Sequence, residues 1–284
     1  MNFFLPIIAA VLQAGSYTLD KVVLSVKKVT YKTYTGVSFP LIFLITLVIF
    51  LVVRPPLSWS LFAGKNLWYL IFTVSATLVA NLIFYRALDE DNLGEIQTIE
   101  LLAGIPTVIF AGLAFPSERN VPIIALALVS SLAVVWSHWK NHRFKIAKHT
   151  LPLLIWTIVI APFGALIIKD ILRVWNPITL QLFRSGCIAL ILVPLYFKTI
   201  EKVSLRAFTL LVATNILTTL AWIIYYFSFQ LSGIVYTVLI FSLQPFLVYF
   251  ASVFLLKEKL NWKKFAAFVI ILLSIAASQL ILGK

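Results

Sequence analysis

The chain has 284 residues, of which 62% are hydrophobic and only 12% are charged, whereas a soluble domain is roughly 45–50% apolar and about a quarter charged. A water-soluble fold of this size could not bury so much apolar surface, so the composition excludes a soluble globular protein and indicates an integral membrane protein. The net charge of +13 comes from lysines and arginines between the apolar segments, where they contact lipid headgroups, so we expect a lipid bilayer and no nucleic acid among the partners.

Ten apolar segments follow one another along the chain, and each is about as long as a helix that crosses the hydrocarbon core of a bilayer. They are too long for the strands of a membrane barrel and lack period-2 alternation, so we predict helices. The first has neither the basic start nor the cleavage site of a signal peptide, and we expect it to remain as a span. The predicted spans are residues 3–24, 33–53, 67–88, 94–115, 121–139, 151–171, 178–197, 207–229, 233–256 and 264–282.

A repeat links residues 94–119, around the fourth span, with residues 233–260, around the ninth. The corresponding pairs are Gly94 and Gly233, Thr98 and Thr237, Pro106 and Pro245, and, after a slip of one residue, Glu118 and Glu258. Because each copy contains five spans, an odd number, the second copy must enter the membrane inverted. We predict an all-helical fold of two inverted five-helix repeats around a central cavity, residues 1–139 and 151–284, joined by a basic linker at 140–150.

The basic residues are distributed unevenly over the two sides of this predicted arrangement. Of the 23 lysines and arginines, 14 follow odd-numbered spans and 5 lie on the other side. Because cytoplasmic loops are enriched in lysine and arginine, the count predicts that both termini lie outside.

Three short motifs carry a resemblance to a known family: Pro245 followed by Leu256-x-Glu258, the segment from Asn176-Pro177 to Arg184, and Tyr85-x-Ala87-Leu88. Together they resemble the EamA-type transporters of the drug/metabolite transporter superfamily. The resemblance implies a cavity lined mainly by spans 1, 3, 4, 6, 8 and 9, and the export or exchange of small metabolites. Lys257 departs from the usual glycine of the first motif, and the family keeps both termini in the cytoplasm, opposite to the charge count.

Glu100 is the strongest candidate for a functional side chain. It lies about two turns into the fourth span, on one face with Gln97, Gly104 and Thr107. A carboxylate at this depth costs a few kcal/mol or more and usually faces a cavity or a partner. We predict that Glu100 carries a proton in exchange for substrate; the alternative is a structural glutamate bonded to a neighbouring helix.

Arg184 is the second candidate, about two turns into the seventh span. A guanidinium binds carboxylates bidentately, so Arg184 is either a clamp for a substrate carboxylate or the counter-ion of Glu100. The alternative is an arginine near a helix end that reaches to the membrane interface. Because span 7 is not among the spans expected to line the cavity, the sequence favours this alternative.

Two stripes of aromatic and polar residues predict a wall for a small amphipathic ligand. The first, on span 8, consists of Asn215, Thr218, Trp222, Tyr225 and Phe229; the second, on span 3, consists of Thr77, Asn81 and Phe84 or Tyr85. A weaker stripe on span 1 consists of Gln13, Tyr17 and Asp20. The alternative for each is ordinary helix packing.

The remaining polar features are predicted to be structural. We expect Asp20-Lys21 and Lys169-Asp170 at interfacial span ends on opposite faces, so that the two pairs cannot bridge each other. Pro106 and Pro245 are expected to kink their helices. Local ion pairs are expected between Glu118 and Arg119 and between Glu258 and Lys259.

Enzyme signatures are missing from the sequence. The single cysteine, Cys187, excludes an internal disulfide, and the three histidines fall in or next to the linker at spacings that fit no familiar metal site. No glycine-rich phosphate loop is present. We expect no catalysis, metal or cofactor.

The predicted function is secondary transport. We expect a multi-pass plasma-membrane protein, a monomer or weak homodimer, that works by alternating access on a small-molecule substrate. Glu100 suits a cationic group and Arg184 an anionic one, so amino acids or other small amphipathic solutes satisfy both. The alternative is a flippase for a lipid-linked sugar.

Overall fold

The structure, a computed structural model, describes residues 3–26, 29–90, 96, 99–100, 102–138, 150–196, 203–256 and 262–282. Within these ranges all regular secondary structure is helical. The principal helices are α1 (Phe4–Leu24), α2 (Tyr31–Val53), α3 (Lys65–Glu90), α4 (Gly104–Ala114), α5 (Val121–His138), α6 (Leu151–Ile171), α7 (Pro177–Tyr196), α8 (Leu205–Ser232), α9 (Ile234–Phe241), α10 (Gln244–Leu256) and α11 (Trp262–Leu282).

Eight spans among the described residues are long and apolar enough to cross a membrane. They correspond to predicted spans 1–3 and 6–10, with α9 and α10 together forming the ninth. Predicted spans 4 and 5 are represented by shorter apolar helices, Gly104–Ala114 and Val121–Ser137. Part of span 4, including Gln97, lies outside the described residues. The protein is therefore a multi-pass membrane protein, as the composition predicts.

Local sequence signals set several of the helix ends. The Thr30 hydroxyl accepts a hydrogen bond from the Thr33 amide at 3.4 Å, and Ser204 caps α8 in the same way through Ala207 at 3.3 Å. These hydroxyls satisfy amide groups that have no partner within the helix. At the other end of α2, Arg54 adopts a left-handed conformation (φ 51°) before two prolines that cannot continue the helix.

Both repeat-related prolines follow an interruption of the helix. The chain leaves the α-helix at Ser242 and Leu243, and α10 begins one residue before Pro245. In the other copy the interruption is at Ala103, and Pro106 is the third residue of α4. A proline is tolerated in the first turn of a helix because its missing amide needs no partner there. The predicted kinks thus take the form of short breaks that start a new helical segment.

The two sequence halves pack against each other through pairs of helices. The most extensive contacts join α1 to α8, α2 to α7 and α5 to α11, and each pair takes one helix from either half. The buried core includes Trp175, Tyr226 and Phe229, which are at most 1% exposed. Large apolar side chains such as Val52 and Leu190, both 77% exposed, cover the outer surface, which is expected where helices face lipid tails.

Candidate substrate cavity

A cavity of about 330 Å³ lies between the helices of the two halves. Residues of α1–α10 and of the segments next to α4 and α9 line it. The helices that the family resemblance implies as lining are all represented, and α2, α5 and α7 contribute in addition. The polar and aromatic-polar lining consists of Gln13, Tyr17, Thr77, Asn81, Tyr85, Glu100, Thr107, Ser131, Trp156, Thr157, Gln181, Arg184, Thr218, Trp222, Tyr225, Tyr226, Ser242 and Gln244.

Glu100 lies on the cavity wall as predicted, in the segment just before the break that precedes α4. The Tyr17 hydroxyl of α1 is within hydrogen-bonding reach of its carboxylate. The backbone here turns tightly, with the Ala103 amide donating to the Glu100 carbonyl at 3.2 Å. The carboxylate is thus presented to the cavity next to a hydroxyl that can donate a hydrogen bond to it.

Arg184 also lines the cavity, and the alternative of an arginine that reaches to the membrane interface is wrong. Its side chain is buried, at 6% exposure. Its guanidinium donates to the Gln181 side-chain oxygen at 2.6 Å and to the Tyr226 hydroxyl. The guanidinium carbon lies 5.6 Å from the centre of the Trp222 ring and 4.9 Å from that of Tyr226, which stabilises the buried charge through cation–π interactions.

Aromatic rings of α8 and α9 form one wall of the cavity. The ring of Tyr225 lies 4.5 Å from Phe229, 4.7 Å from Phe241 and 5.4 Å from Trp222, measured between ring centres. Offset and edge-on contacts of this kind hold the rings in fixed positions. Trp222 and Tyr225, predicted from the span 8 stripe, are therefore both in the lining.

Helices α1 and α3 also contribute to the wall, with Gln13, Asn81 and Tyr85, which the sequence stripes predict as well. The Asn81 side-chain amide donates to the Thr77 carbonyl at 2.8 Å within α3. The ring of Tyr17 lies 5.1 Å from that of Phe84. This side presents amide and hydroxyl groups, whereas the α8 side presents mainly ring faces.

The lining also includes an irregular turn of α6. Residues Trp156–Ile160 form a π-helical turn, and Trp156, Thr157 and Ile160 all line the cavity. A π turn widens the helix and displaces its side chains, and such turns are frequent at functional sites.

Asn215 does not belong to the cavity, although the stripe on span 8 predicts it. Its side-chain amide donates to the Ser38 hydroxyl at 3.1 Å and to the Leu211 carbonyl at 2.7 Å. It is 1% exposed and joins α8 to α2. For this residue the packing alternative is correct, because its side-chain amide is held in the contact between α8 and α2.

Asp20 does not lie at the membrane interface, although this was expected for the end of span 1. It is 0% exposed, and its Oδ1 atom accepts hydrogen bonds from the Tyr34 and Thr214 hydroxyls. The end of α1 is covered by α2 and α8, so a polar pair near a predicted span end is here enclosed by protein. The adjacent Lys21 donates to the Leu88 carbonyl at 2.6 Å.

Glu118 does not pair with Arg119, so that expected local ion pair is wrong. The Glu118 carboxylate binds the Lys169 ammonium group of α6 and accepts the amides of Ile234 and Val235 at 2.9 and 3.1 Å. Arg119 instead donates to the Gly112 and Leu113 carbonyls at the end of α4. The other expected pair, Glu258 with Lys259, lies outside the described residues.

The model of one protein family matches the second half of the chain. Residues 150–278 match the model of the EamA-like transporter family. This half of the chain, called the EamA-like half below, is similar to that family. The family belongs to the drug/metabolite transporter superfamily, so the resemblance predicted from the motifs is confirmed there, and the match indicates a membrane transporter of that type. The first half lies outside the matched residues.

A solved crystal structure has the same fold over nearly the whole chain. It superposes with a TM-score of 0.74 at 16% sequence identity, and the alignment covers 98% of this chain and 96% of the other. The likeness extends through the EamA-like half into the first half. A search of curated proteins finds no match.

Several lining residues were missed by the sequence reasoning. In the EamA-like half, Gln181 precedes Arg184 by one turn and Tyr226 follows Tyr225, so both neighbour predicted residues. Ser131 of α5 and Gln244 at the start of α10 also line the cavity. The spacing of three between Gln181 and Arg184 is a signal that could have identified the first, since such residues share a helix face. Within the described ranges no cluster of histidine, cysteine or acidic residues could hold a metal ion.

Proposed function

We propose that this protein is a secondary-active transporter that moves small zwitterionic metabolites, such as amino acids, by alternating access. The match of the second half to a transporter family supports this class. The matched residues begin at 150, next to the predicted boundary between the two repeats, which supports the division into residues 1–139 and 151–284. Each repeat contributes five helices in this proposal, with the second inverted relative to the first.

The observation that carries the proposal is the pair of charges in the cavity. Among the described lining residues, Glu100 is the one acidic side chain and Arg184 the one basic side chain. Buried charges are costly and usually have a function in membrane proteins. A ligand with an ammonium and a carboxylate group compensates both, and an apolar substituent fits against the ring faces of Trp222 and Tyr225. The volume of about 330 Å³ lies within the range of small-molecule sites.

Glu100 couples transport to protons in this proposal. The carboxylate binds either a proton or the ammonium group of the substrate, and the two exclude each other. Exchange of one for the other on opposite sides of the membrane gives export of the metabolite driven by proton entry. Tyr17 orients the carboxylate through its hydroxyl, so the acceptor atoms stay directed at the cavity.

Arg184 binds the carboxylate of the substrate. Gln181 and Tyr226 occupy some of its donor groups and hold its plane against the Trp222 ring. A guanidinium has five N–H donors, so a substrate carboxylate can still bind to the remaining ones. The fixed orientation lowers the entropy that is lost when the substrate binds.

Alternating access is supported by the helix breaks beside the cavity. Ser242 and Gln244 line the cavity at the break between α9 and α10, and Ala103 and Gly104 line it at the break before α4. Broken helices at the midplane are typical of transporters built from inverted repeats. The family match gives no support to the alternative of a lipid-linked sugar flippase.

Uptake by the reconstituted protein tests the substrate class. The panel contains labelled amino acids, the matching amines without a carboxylate and the matching acids without an amine. We expect transport of amino acids only, and we expect Arg184→Gln to reduce it strongly while Arg173→Gln leaves it unchanged. Arg173 is the matched control because it is exposed and pairs with Asp170 away from the cavity. Equal transport of the amines, or equal loss in both variants, would contradict the proposal.

A further inference from the structure

Asp20 is a second buried carboxylate, outside the cavity lining, and four helices meet around it. It belongs to α1, and its Oδ1 atom accepts hydrogen bonds from Tyr34 of α2 and Thr214 of α8, each at 2.5 Å. The Tyr85 hydroxyl of α3 is also within hydrogen-bonding reach. The carboxyl group is 0% exposed, so water does not solvate it in this arrangement.

The other carboxylate oxygen, Oδ2, has no hydrogen-bond partner in the part of the chain that the structure describes. Within the described ranges, the groups that act on Asp20 are hydroxyls and no cation is among them. The neighbouring Lys21 directs its ammonium group to the Leu88 carbonyl. An ionised carboxylate in this position would leave a buried negative charge with one unsolvated oxygen, which costs several kcal/mol. A proton on Oδ2 removes that charge and leaves the hydrogen bonds from Tyr34 and Thr214 to Oδ1 in place.

Two tyrosines place this carboxyl group next to the proposed substrate site. Tyr85 reaches Asp20 and also lines the cavity, and Tyr17 reaches Glu100 from the same wall. The Phe84 ring lies 5.1 Å from each tyrosine ring and packs between them. Asp20 and Glu100 are therefore linked through adjacent aromatic side chains on the α1–α3 side of the cavity.

We propose that Asp20 is a second proton-carrying residue, and that its charge state controls whether α1, α2, α3 and α8 stay together at this end of the cavity. The protonated carboxyl group holds the four helices in the arrangement seen here. Release of the proton creates a charge that is stable only when water reaches it, and the helices must separate for this. A proton can shift such an equilibrium because it binds the two states with different affinity. This inference rests on the proposed transport function and names a coupling residue beyond Glu100.

Three of the four helices that meet at Asp20 contribute titratable or charged groups around it. These groups are Lys21 on α1, Tyr34 on α2 and Tyr85 on α3, with Tyr17 and Glu100 beyond Tyr85; α8 contributes the neutral Thr214. In this set Asp20 and Glu100 are the two carboxyl groups. A pH effect must therefore be assigned by replacing each of them separately.

Infrared spectroscopy of the protein in lipid tests the protonation directly. We expect the spectrum at neutral pH to contain the C=O absorption of a protonated carboxyl group, and Asp20→Asn to remove it. Asp170→Asn, the control in an exposed ion pair, should leave the absorption in place, and Glu100→Gln should leave the Asp20 component in place. A spectrum of Asp20→Asn identical to that of the wild type would overturn the proposal.

Two further measurements keep the test decisive if Asp20→Asn does not fold. Tyr34→Phe and Thr214→Val each keep Asp20 and remove one hydroxyl donor, so the C=O absorption should move to higher frequency; an unmoved absorption in both would overturn the proposal. Where Asp20→Asn does fold, proton-driven uptake should fall by about tenfold. Wild-type uptake in that variant would also overturn it. Because the infrared result needs no substrate, failure of the transport proposal is distinguishable from failure of this one.

Discussion

The contacts around Glu118 and those around Asp20, here called the Glu118 end and the Asp20 end, hold the helices together with different chemistry. At one end Lys169 and two backbone amides of α9 compensate the Glu118 carboxylate completely. At the other end, among the residues that the structure describes, the Asp20 carboxyl group accepts hydrogen bonds from hydroxyl groups only, and one of its oxygens has no partner. A fully paired carboxylate stabilises one arrangement, whereas an incompletely paired one responds to protonation. The contact at the Glu118 end is therefore structural, whereas the contact at the Asp20 end is the one that, in our proposal, changes with protonation.

If the two halves correspond as the sequence repeat predicts, this difference becomes more informative. Gly15 and Gly164 each precede a charged pair by the same spacing, so Asp20 corresponds to Lys169 and Lys21 to Asp170. The order of acid and base is reversed between the copies. Consequently, equivalent positions at the ends of α1 and α6 carry opposite charges and contact different partners.

Removal of the Glu118 carboxylate should have the largest effect on stability. Glu118→Ala leaves Lys169 without this buried partner and the Ile234 and Val235 amides without their acceptor. We expect the free energy of unfolding in mixed micelles to fall by about 3–5 kcal/mol, as for a broken buried ion pair. Glu118→Gln keeps a carbonyl acceptor and should lose less. An unchanged unfolding curve for Glu118→Ala would refute the structural assignment of this end.

Gly233→Ala should have the next largest effect, because it disturbs the same contact from the α9 side. Gly233 has φ +90°, and an added Cβ atom would lie 2.6 Å from Oε1 of Glu118. We expect a loss of about 1–3 kcal/mol, measured by the same unfolding experiment. Gly64→Ala is the control, since Gly64 has φ +57° with nothing within 4 Å of the added atom, and should cost roughly 1 kcal/mol. Equal losses would show that only backbone strain matters.

Removal of one hydroxyl at the Asp20 end should cost less. Thr214→Val deletes the donor to Asp20 and the contact with the Ser16 carbonyl at 3.1 Å. We expect a destabilisation of about 1 kcal/mol, as for one hydrogen bond between membrane helices. Thr209→Val, on the same helix, removes only an exposed contact with the Leu205 carbonyl and should be neutral. A loss as large as that of Glu118→Ala would show that the two ends are equally structural.

The smallest effect is expected for the exposed ion pairs beside the Glu118 end. Asp170 pairs with Lys65 at 3.5 Å and with Arg173 at 3.4 Å, and both cations are mostly exposed. Asp170→Asn should change the unfolding free energy by about 0–1 kcal/mol, because water screens such pairs. A larger loss would mean that this network, and not Glu118, holds the end together.

Much of the fold follows from the lengths and order of the apolar runs. The boundaries of α1, α3 and α6 lie within two or three residues of the predicted spans, since hydrophobic thickness fixes the length of a crossing helix. The breaks before Pro106 and Pro245 also agree with the repeat. Among the described residues, Glu100, Tyr17 and Trp222 line the cavity as the polar stripes predict.

The sequence-based predictions that are wrong concern which neighbouring helix or cavity a given helix face contacts. Helices that are apolar on all sides give little periodic signal, so the sequence could not show that Arg184 turns toward the cavity and Asn215 toward α2. Asp20 lies near the end of α1 and therefore resembles an interfacial residue, but Tyr34 and Thr214 cover it from helices that are distant in sequence. The sequence predicts an ion pair between Glu118 and the adjacent Arg119. The actual partners of Glu118, Lys169 and the start of α9, are more than 50 residues away.

Proton-driven uptake by the reconstituted protein tests the central claim most directly. The substrate is the amino acid from the panel that gives the strongest uptake, measured with and without an imposed pH gradient. We predict accumulation that follows the gradient in the wild type, and its loss in Glu100→Gln with the variant still folded, because the amide cannot carry the proton. Gradient-driven accumulation at the wild-type level in Glu100→Gln would contradict the account.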